Sequence, residues 1–273
     1  MTGWTVDSPQ RLTVDGPVTR LDVSLISGRL NVVATDGPAR VDVSRVGRRP
    51  ILVTHQDGRL LIRQQRGREW ADALRWLRPF TRFPKVDVSV AVPADVPADL
   101  RLVEGSLVAS GLRRQTRADV TSGQITLMGL RGSTSATITA GPVEALGVAD
   151  DLRMETVSGE VILADSAADR VHAQTVSGSI TCDLDNPRGS EIRLTTISGG
   201  ITVRVREDSD LAVQLHTASG RITSGFPQLQ TSTFPLANSA GVLGSGDGKL
   251  WASATSGSIA LLARPVDDDE ELP

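Results

Sequence analysis

The sequence predicts an all-β chain: a single elongated β-solenoid or β-roll of stacked coils with 18–21-residue repeats and one short helical insertion. Three observations lead there. The pair Ser-Gly recurs at Gly28, Gly123, Gly159, Gly178, Gly199, Gly220 and Gly257, and self-similarity at a fixed period is the signature of repeat architectures. Two residues after each glycine stands Leu30, Ile125, Val161, Ile180, Ile201, Ile222 or Ile259, and four after stands Val32, Leu127, Leu163, Cys182, Val203, Ser224 or Leu261. That is the period-two alternation of a half-buried strand, broken in the second ladder only by Ser224. Finally, 39% of the residues are hydrophobic but only 3% aromatic, with no Tyr, so the core must be built from aliphatic side chains stacked in register.

The N-terminal section, residues 1–95, is rich in strands and carries its own repeat. Asp15-Gly16-Pro17 and Asp36-Gly37-Pro38 each introduce a strand, Leu21-Asp-Val-Ser and Val41-Asp-Val-Ser. Asp-Gly-Pro is turn chemistry, because Gly accepts positive φ and Pro cannot extend a central ladder. Wider coils, or a small sheet capping the solenoid, both satisfy residues 11–64. After the strand Val86–Val92, the Ser-Gly coils occupy residues 96–264. From Gly123 the steps are 36, 19, 21, 21 and 37, and the first splits at Gly141 into 18 and 18. Gly105, another 18 upstream, opens a weaker copy, and the step of 37 is expected to hide one degenerate turn. Residues 265–273 form an acidic tail expected to be solvated and disordered.

Residues 63–85 break every pattern. Arg63, Arg66, Arg68, Arg75, Arg78, Arg82 and Lys85 oppose only Glu69 and Asp72, a balance of 7 − 2 = +5, and Trp70, Trp76, Phe80 and Phe83 are half of the chain's eight Trp and Phe residues. A short amphipathic helix fits Glu69 to Arg78, ended by Pro79. Rings at the headgroup level and arginines on phosphates suit an anionic bilayer, so the expected membrane or partner contact is Arg66, Arg68, Trp70, Arg75, Trp76, Arg78, Phe80, Arg82 and Phe83. The same segment also fits a cap over an open solenoid end, with its tryptophans buried.

Signals for chemistry are sparse. No Gly-x-Ser-x-Gly, His-Glu-x-x-His or Walker-type loop occurs, and His55, His172 and His216 fall in different repeat phases, so no catalytic residue, metal site or cofactor is expected. Asp150, Asp151, Asp165, Asp169 and Asp183 read as turn carboxylates rather than as the acidic cluster of a pectate-lyase-like enzyme. Cys182, the single cysteine, occupies an inward ladder position and reads as core. A net charge of −3 gives no reason to expect nucleic acid. The motifs Thr156-Val-Ser, Thr175-Val-Ser, Thr196-Ile-Ser and Thr217-Ala-Ser would form an outward array of hydroxyls if the middle residue points inward. Met1–Gln10 lacks a basic region followed by an apolar run, and no run approaches 18 apolar residues, so the expected location is the cytoplasm, at the inner membrane face if 63–85 docks there.

The Thr-Val-Ser-Gly-x-Ile-x-Leu coils, the strand Val-Asp-Val-Ser-Val-Ala-Val-Pro at Val86–Pro93, and Gly246-Asp-Gly-Lys-Leu followed by Thr255-Ser-Gly-Ser-Ile resemble the bacterial putative-adhesin, or toastrack-like, family of β-strand repeat proteins of unknown function. The resemblance covers residues 10–264 and supplies no catalytic residues. It implies adhesion at a surface and a link to envelope stress. The resulting expectation is a non-enzymatic scaffold or interaction module whose partner is an unknown protein or an anionic membrane. Two alternatives remain: a carbohydrate-binding or carbohydrate-active solenoid, and a homo-oligomer assembled through an open last coil, Ser258-Ile-Ala-Leu-Leu262.

Overall fold

The computed structural model describes residues 2–47, 49–65, 85–184, 189–232 and 237–265, and all regular structure among them is β-strand. The expected helix over Glu69–Arg78 and the acidic tail lie outside the described residues, apart from Pro265. The chain divides into two compact units, Met1–Ile125 and Thr126–Pro273.

In the first unit the organising strand is β3 (Arg20–Ala34), whose alternation buries Leu21, Val23, Leu25, Leu30 and Val32. On one side it pairs in parallel with β8 (Ala98–Ser110), from Leu21↔Ala98 to Val33↔Ser110. On the other side two strands cover it in succession. β6 (Arg59–Gln64) pairs Arg20↔Arg59 to Ser24↔Arg63, and β7 (Val86–Val92) pairs Gly28↔Val86 to Ala34↔Val92. Antiparallel strands extend the sheet: β5 (Ile51–Gln56) on β6 and β1 (Thr2–Val6) on β5, then β4 (Arg40–Arg45) on β7 and β2 (Gln10–Thr13) on β4. Residues 11–64 therefore combine one long parallel strand with antiparallel strands. The β5–β6 hairpin closes through Asp57-Gly58, at φ 51° and 76°, the two positive values that a two-residue type I′ turn requires.

The second unit shows the coils that the spacing predicts. Its longer strands, β10 (Ser133–Ala140), β12 (Ala149–Ser158), β14 (Ala167–Ser177) and β16 (Glu191–Ser198), stack in parallel with Ala140↔Ser158, Ser158↔Ser177 and Ser177↔Ser198 in register. The shorter strands, β11 (Val143–Leu146), β13 (Val161–Ala164), β15 (Ile180–Leu184) and β17 (Ile201–Arg206), do the same at Val143↔Val161, Val161↔Ile180 and Ile180↔Ile201. Each repeat is thus one coil. The ladder residues Val161, Leu163, Ile180, Cys182, Ile201 and Val203 are fully enclosed, each aliphatic side chain being worth roughly 1.5–3 kcal/mol of burial.

Two expectations fail at the end of this unit. The last coil in sequence, β22 (Gly248–Ser256) and β23 (Ile259–Arg264), is internal in space. β22 pairs in parallel with β16 and with β18 (Leu211–Ser219), while β23 pairs with β17 and with β19 (Ile222–Ser224). Ser258–Leu262 is therefore no open edge, and the route to self-assembly through it is lost. Nor does the step between Gly220 and Gly257 hide a degenerate parallel turn. β20 (Gln230–Ser232) and β21 (Ala237–Leu243) run antiparallel there, β21 along β18 and β20 along β21. The physical reason is that a Ser-Gly coil fits on either side of any other, so periodicity fixes register but not stacking order.

Candidate functional site

The corner that joins β6 to β7 is the first candidate. β8 runs past β3 without interruption, through Ser27↔Glu104 and Gly28↔Gly105, whereas on the opposite side β6 stops facing Ser24–Leu25 and β7 starts facing Gly28. Residues 65–85 are inserted where a short corner would do. Gln64 adapts the sheet to the gap: its side chain is buried and its Oε1 accepts the Ile26 amide at 2.8 Å, in the stretch of β3 that neither strand covers. Arg63 and Lys85, at the two ends, are exposed. The contact residues expected from sequence, Arg66, Arg68, Trp70, Arg75, Trp76, Arg78, Phe80, Arg82 and Phe83, all lie outside the described residues.

The repeated motif is the second candidate, and here the structure reverses the expected orientation. Thr156, Thr175, Thr196 and Thr217 are buried, while Val157, Val176 and Ile197 are 50%, 38% and 48% exposed. The threonine shares its phase with the buried residues two and four positions upstream, such as Met154 and Leu152, so alternation turns it inward. Each threonine hydroxyl then donates to the carbonyl of a neighbouring coil's glycine: Thr156 to Gly141 and Thr175 to Gly159 at 3.4 Å, Thr196 to Gly178 at 3.3 Å, Thr217 to Gly257 at 2.8 Å. What faces water is a stripe of three β-branched apolar side chains on adjacent coils, beside the exposed Ser158, Ser177 and Ser198. Extending the upstream alternation into the motif would have revealed it.

The motif glycines are positions of close approach. A Cβ on Gly28, Gly123, Gly159, Gly178, Gly199, Gly220 or Gly257 would meet a neighbouring backbone oxygen at 1.7–2.1 Å. Only Gly28, Gly123, Gly178 and Gly199 among them also carry positive φ.

The ionisable groups pair between strands. Asp151 accepts two bonds from Arg170, at 2.7 and 2.8 Å, and these hold its carboxyl below the usual range. Asp183 bonds Arg204 and lies 3.5 Å from Arg264. The Arg204 hydrogen bond lowers its pKa, burial opposes that shift, and both guanidinium charges add to the lowering. For Asp119 burial dominates and pushes the carboxyl up, against the pull of Arg117 and Arg101. Of the five carboxylates expected in turns only Asp165, at positive φ between β13 and β14, lies in one; Asp150, also at positive φ, sits at a bulge of β12 and accepts the Gly132 amide at 2.6 Å, and Asp151, Asp169 and Asp183 lie on β12, β14 and β15, where side chains can pair across the ladder. Because the Asp183 carboxyl is lower folded than unfolded, its stabilisation is present at neutral pH and is lost as pH falls from the unfolded value of 3.8 through the folded one. Asp183→Asn should thus be less stable than wild type by up to ~1 kcal/mol at pH 7. In urea titrations that gap should close below pH 3.8; a gap constant with pH would remove the carboxylate charge as its source.

No other feature builds a reaction centre among the described residues. Burial pushes the Cys182 thiol up to about 12, in keeping with a core residue. His55 Nε2 lies 3.2 Å from the Pro17 carbonyl, His216 Nδ1 lies 2.5 Å from Asn238 Oδ1, and His172 stands between Arg153 and Arg193 in register. No group of three His, Cys, Asp or Glu residues gathers among the described residues. Trp251 lies under the Arg193 guanidinium, 5.5 Å from its ring centre, rather than over carboxylates. A surface cleft of about 70 Å³ lined by Arg20, Asp99, Gln115 and Arg117 falls well short of the roughly 300 Å³ at which small-molecule pockets begin.

A family model described as Toastrack DUF4097 matches residues 19–262. The chain belongs to the Toastrack DUF4097 family. Among solved structures, this Toastrack chain is similar to one named as a putative adhesin from Bacteroides fragilis, at 13% identity and a TM-score of 0.48 over 96% of this chain and 97% of that one. It is also similar to a putative cell adhesion protein from Clostridium sporogenes, at 10% identity and TM-score 0.28 over 94% and 100% of the two chains. A third, named as a putative lipid binding protein from Parabacteroides distasonis, gives 11% identity and TM-score 0.30 over 94% and 97%. No curated protein matches the Toastrack chain.

Proposed function

We propose that this Toastrack chain is a non-enzymatic interaction module that works at the cell envelope, with the insertion 65–85 as its contact with an anionic membrane face. The observation that carries this reading is the placement of the insertion. Two strands meet almost end to end along β3, yet a segment with a charge of +5 over residues 63–85 and four large aromatics is spliced between them. A corner needs none of that chemistry. Basic residues near an anionic surface are each worth about 1 kcal/mol, and interfacial rings add apolar burial, so the composition suits a headgroup layer. A protein that uses this contact would sit peripherally at the inner face of the membrane.

Co-sedimentation with vesicles provides the test. Wild type should pellet with vesicles rich in phosphatidylglycerol and stay in solution with phosphatidylcholine, with binding weakened by salt. A Trp70→Ala, Trp76→Ala variant with an unchanged circular dichroism spectrum should lose at least about tenfold in partitioning, the equivalent of ~1.4 kcal/mol. If wild type ignores both vesicle types, the membrane reading fails and the insertion belongs to a protein contact or to a structural cap.

A further inference from the structure

The internal position of the last coil leaves an unusual degeneracy. Ala254 of β22 faces Thr196 on one side and Thr217 on the other, and Ser256 faces Ser198 and Ser219. Along the shorter strands Ile259 faces both Ile201 and Ile222. Coil β18–β19 is thus already in the register it would have if it were stacked directly on β16–β17. Its step from Gly199 to Gly220, 21 residues, equals the step from Gly178 to Gly199.

The threonine ladder accommodates that direct stacking, since Thr217 would exchange one glycine carbonyl for another. In three successive coils the hydroxyl reaches the glycine of the coil immediately before it in sequence: Gly141, Gly159 and Gly178. Thr217 departs from the rule and donates to Gly257 instead. The intervening β22 carries Ala254 at this position, so it offers the Gly199 carbonyl no hydroxyl. Steric fit does not separate the two stackings. Gly257 packs on Gly199 and Gly220 packs on Gly257 through the same close backbone approach, in which an added Cβ would lie 1.8 and 2.1 Å from the facing carbonyl oxygen, so Gly220 has the shape to pack on Gly199. The connection also has a pin that could let go. Asp210 accepts the Ser245 amide through Oδ1 at 2.8 Å and the Gly248 amide through its carbonyl at 2.9 Å, holding the turn that leads into β22.

We propose that β22–β23 is a withdrawable coil: the chain has a second closed arrangement in which β18–β19 stacks on β16–β17, Thr217 donates to the Gly199 carbonyl, and residues 248–264 are released. The released segment carries Leu250, Ala252, Ala254, Ile259 and Leu261 in strand alternation, the pattern that adds to an exposed sheet edge. The switch is thus a store for a strand donor inside the fold, and it stands independently of any membrane contact.

Disulfide trapping in the full-length chain tests it. Ser198, Ser219 and Ser256 are exposed, so cysteines there should leave the core intact. Ser198 and Ser256 are one strand apart, ~4.8 Å, whereas Ser198 and Ser219 sit on opposite sides of Ser256, ~9.6 Å apart and beyond the roughly 7 Å that a disulfide can bridge. Under mild oxidation the S198C/S256C pair should close promptly. The S198C/S219C pair should close within the same chain at least about a thousandfold more slowly, because Leu250, Ile259 and Leu261 must all be uncovered, but continue to accumulate, and adding Asp210→Ala should speed it several-fold. In the trapped form trypsin should cut after Lys249, which the S198C/S256C form should protect. Cys182 is buried and does not compete. The proposal is overturned if S198C/S219C stays reduced while S198C/S256C closes, if it links only between chains, or if its trapped form keeps Lys249 protected.

Discussion

Replacing Gly199 with alanine should cost ~3 kcal/mol or more of folding stability, the range reached when a buried backbone has no room to relax. A Cβ at Gly199 would lie 2.0 Å from the Gly178 carbonyl oxygen and 2.6 Å from its carbon, and φ there is +150°, so the substitution is both overlapped and strained. The obstacle is main chain, not the tip of a flexible side chain. The oxygen is also the acceptor of the Thr196 hydroxyl at 3.3 Å, and Gly199 in turn supports Gly257, whose own Cβ would stand 1.8 Å from the Gly199 oxygen. Relief would require pushing one coil away from the next and losing the parallel ladder on both sides. Gly3→Ala makes the matched control, since nothing lies within 4 Å of its Cβ and its φ is ordinary; less than ~0.5 kcal/mol is expected there. Urea denaturation followed by circular dichroism measures both. A Gly199→Ala variant as stable as Gly3→Ala would mean that adjacent coils slide apart freely, and the glycine columns would lose their structural explanation.

That same contact explains why so much of the fold is legible in the sequence. A backbone crossing closer than a methyl group permits needs glycine at every coil, so the architecture prints itself as a column of Gly, with Ile or Val two residues on. Direction and order are less visible. The threonines of Thr-Val-Ser look like surface residues by chemistry, and only their phase relative to Met154 or Leu194 shows that they point inward. The stacking order had a clue in Ser224, the one break in the apolar ladder. In the structure Ser224 lies on β19, which among the described residues pairs with β23 alone, and its hydroxyl accepts the Phe226 amide at 3.0 Å as the strand ends. The weakest ladder marks an outer coil, although it is not the last in sequence. Asp57-Gly58 likewise announces its hairpin by residue type. The composition of 63–85 stands out at once, but its splicing point opposite Ile26 depends on β6 and β7 meeting along β3, a pairing between residues far apart in sequence.

The internal position of the last coil leads to the second large effect. Leu261→Ala should destabilise the chain by ~2–5 kcal/mol, the cost of an enclosed leucine whose surroundings cannot collapse, whereas Leu262→Ala should change stability by less than ~0.5 kcal/mol. The two residues are chain neighbours on β23, yet Leu261 is fully enclosed and Leu262 is 42% exposed. Were β23 the terminal coil that sequence order suggests, one side of Leu261 would be free, its neighbours could relax into the gap, and the penalty would fall. Instead Leu261 stands between Val203 of β17 and Ser224 of β19, with both flanking strands hydrogen-bonded in parallel to its own. A withdrawable coil adds a kinetic signature, because weakening its grip should raise the rate at which it leaves. In the S198C/S219C background, Leu261→Ala should therefore speed disulfide trapping well beyond Leu262→Ala, while both variants fold. Equal trapping rates for the two, alongside the expected difference in stability, would show that the enclosed leucine holds the unit together as a whole rather than holding this coil in its slot.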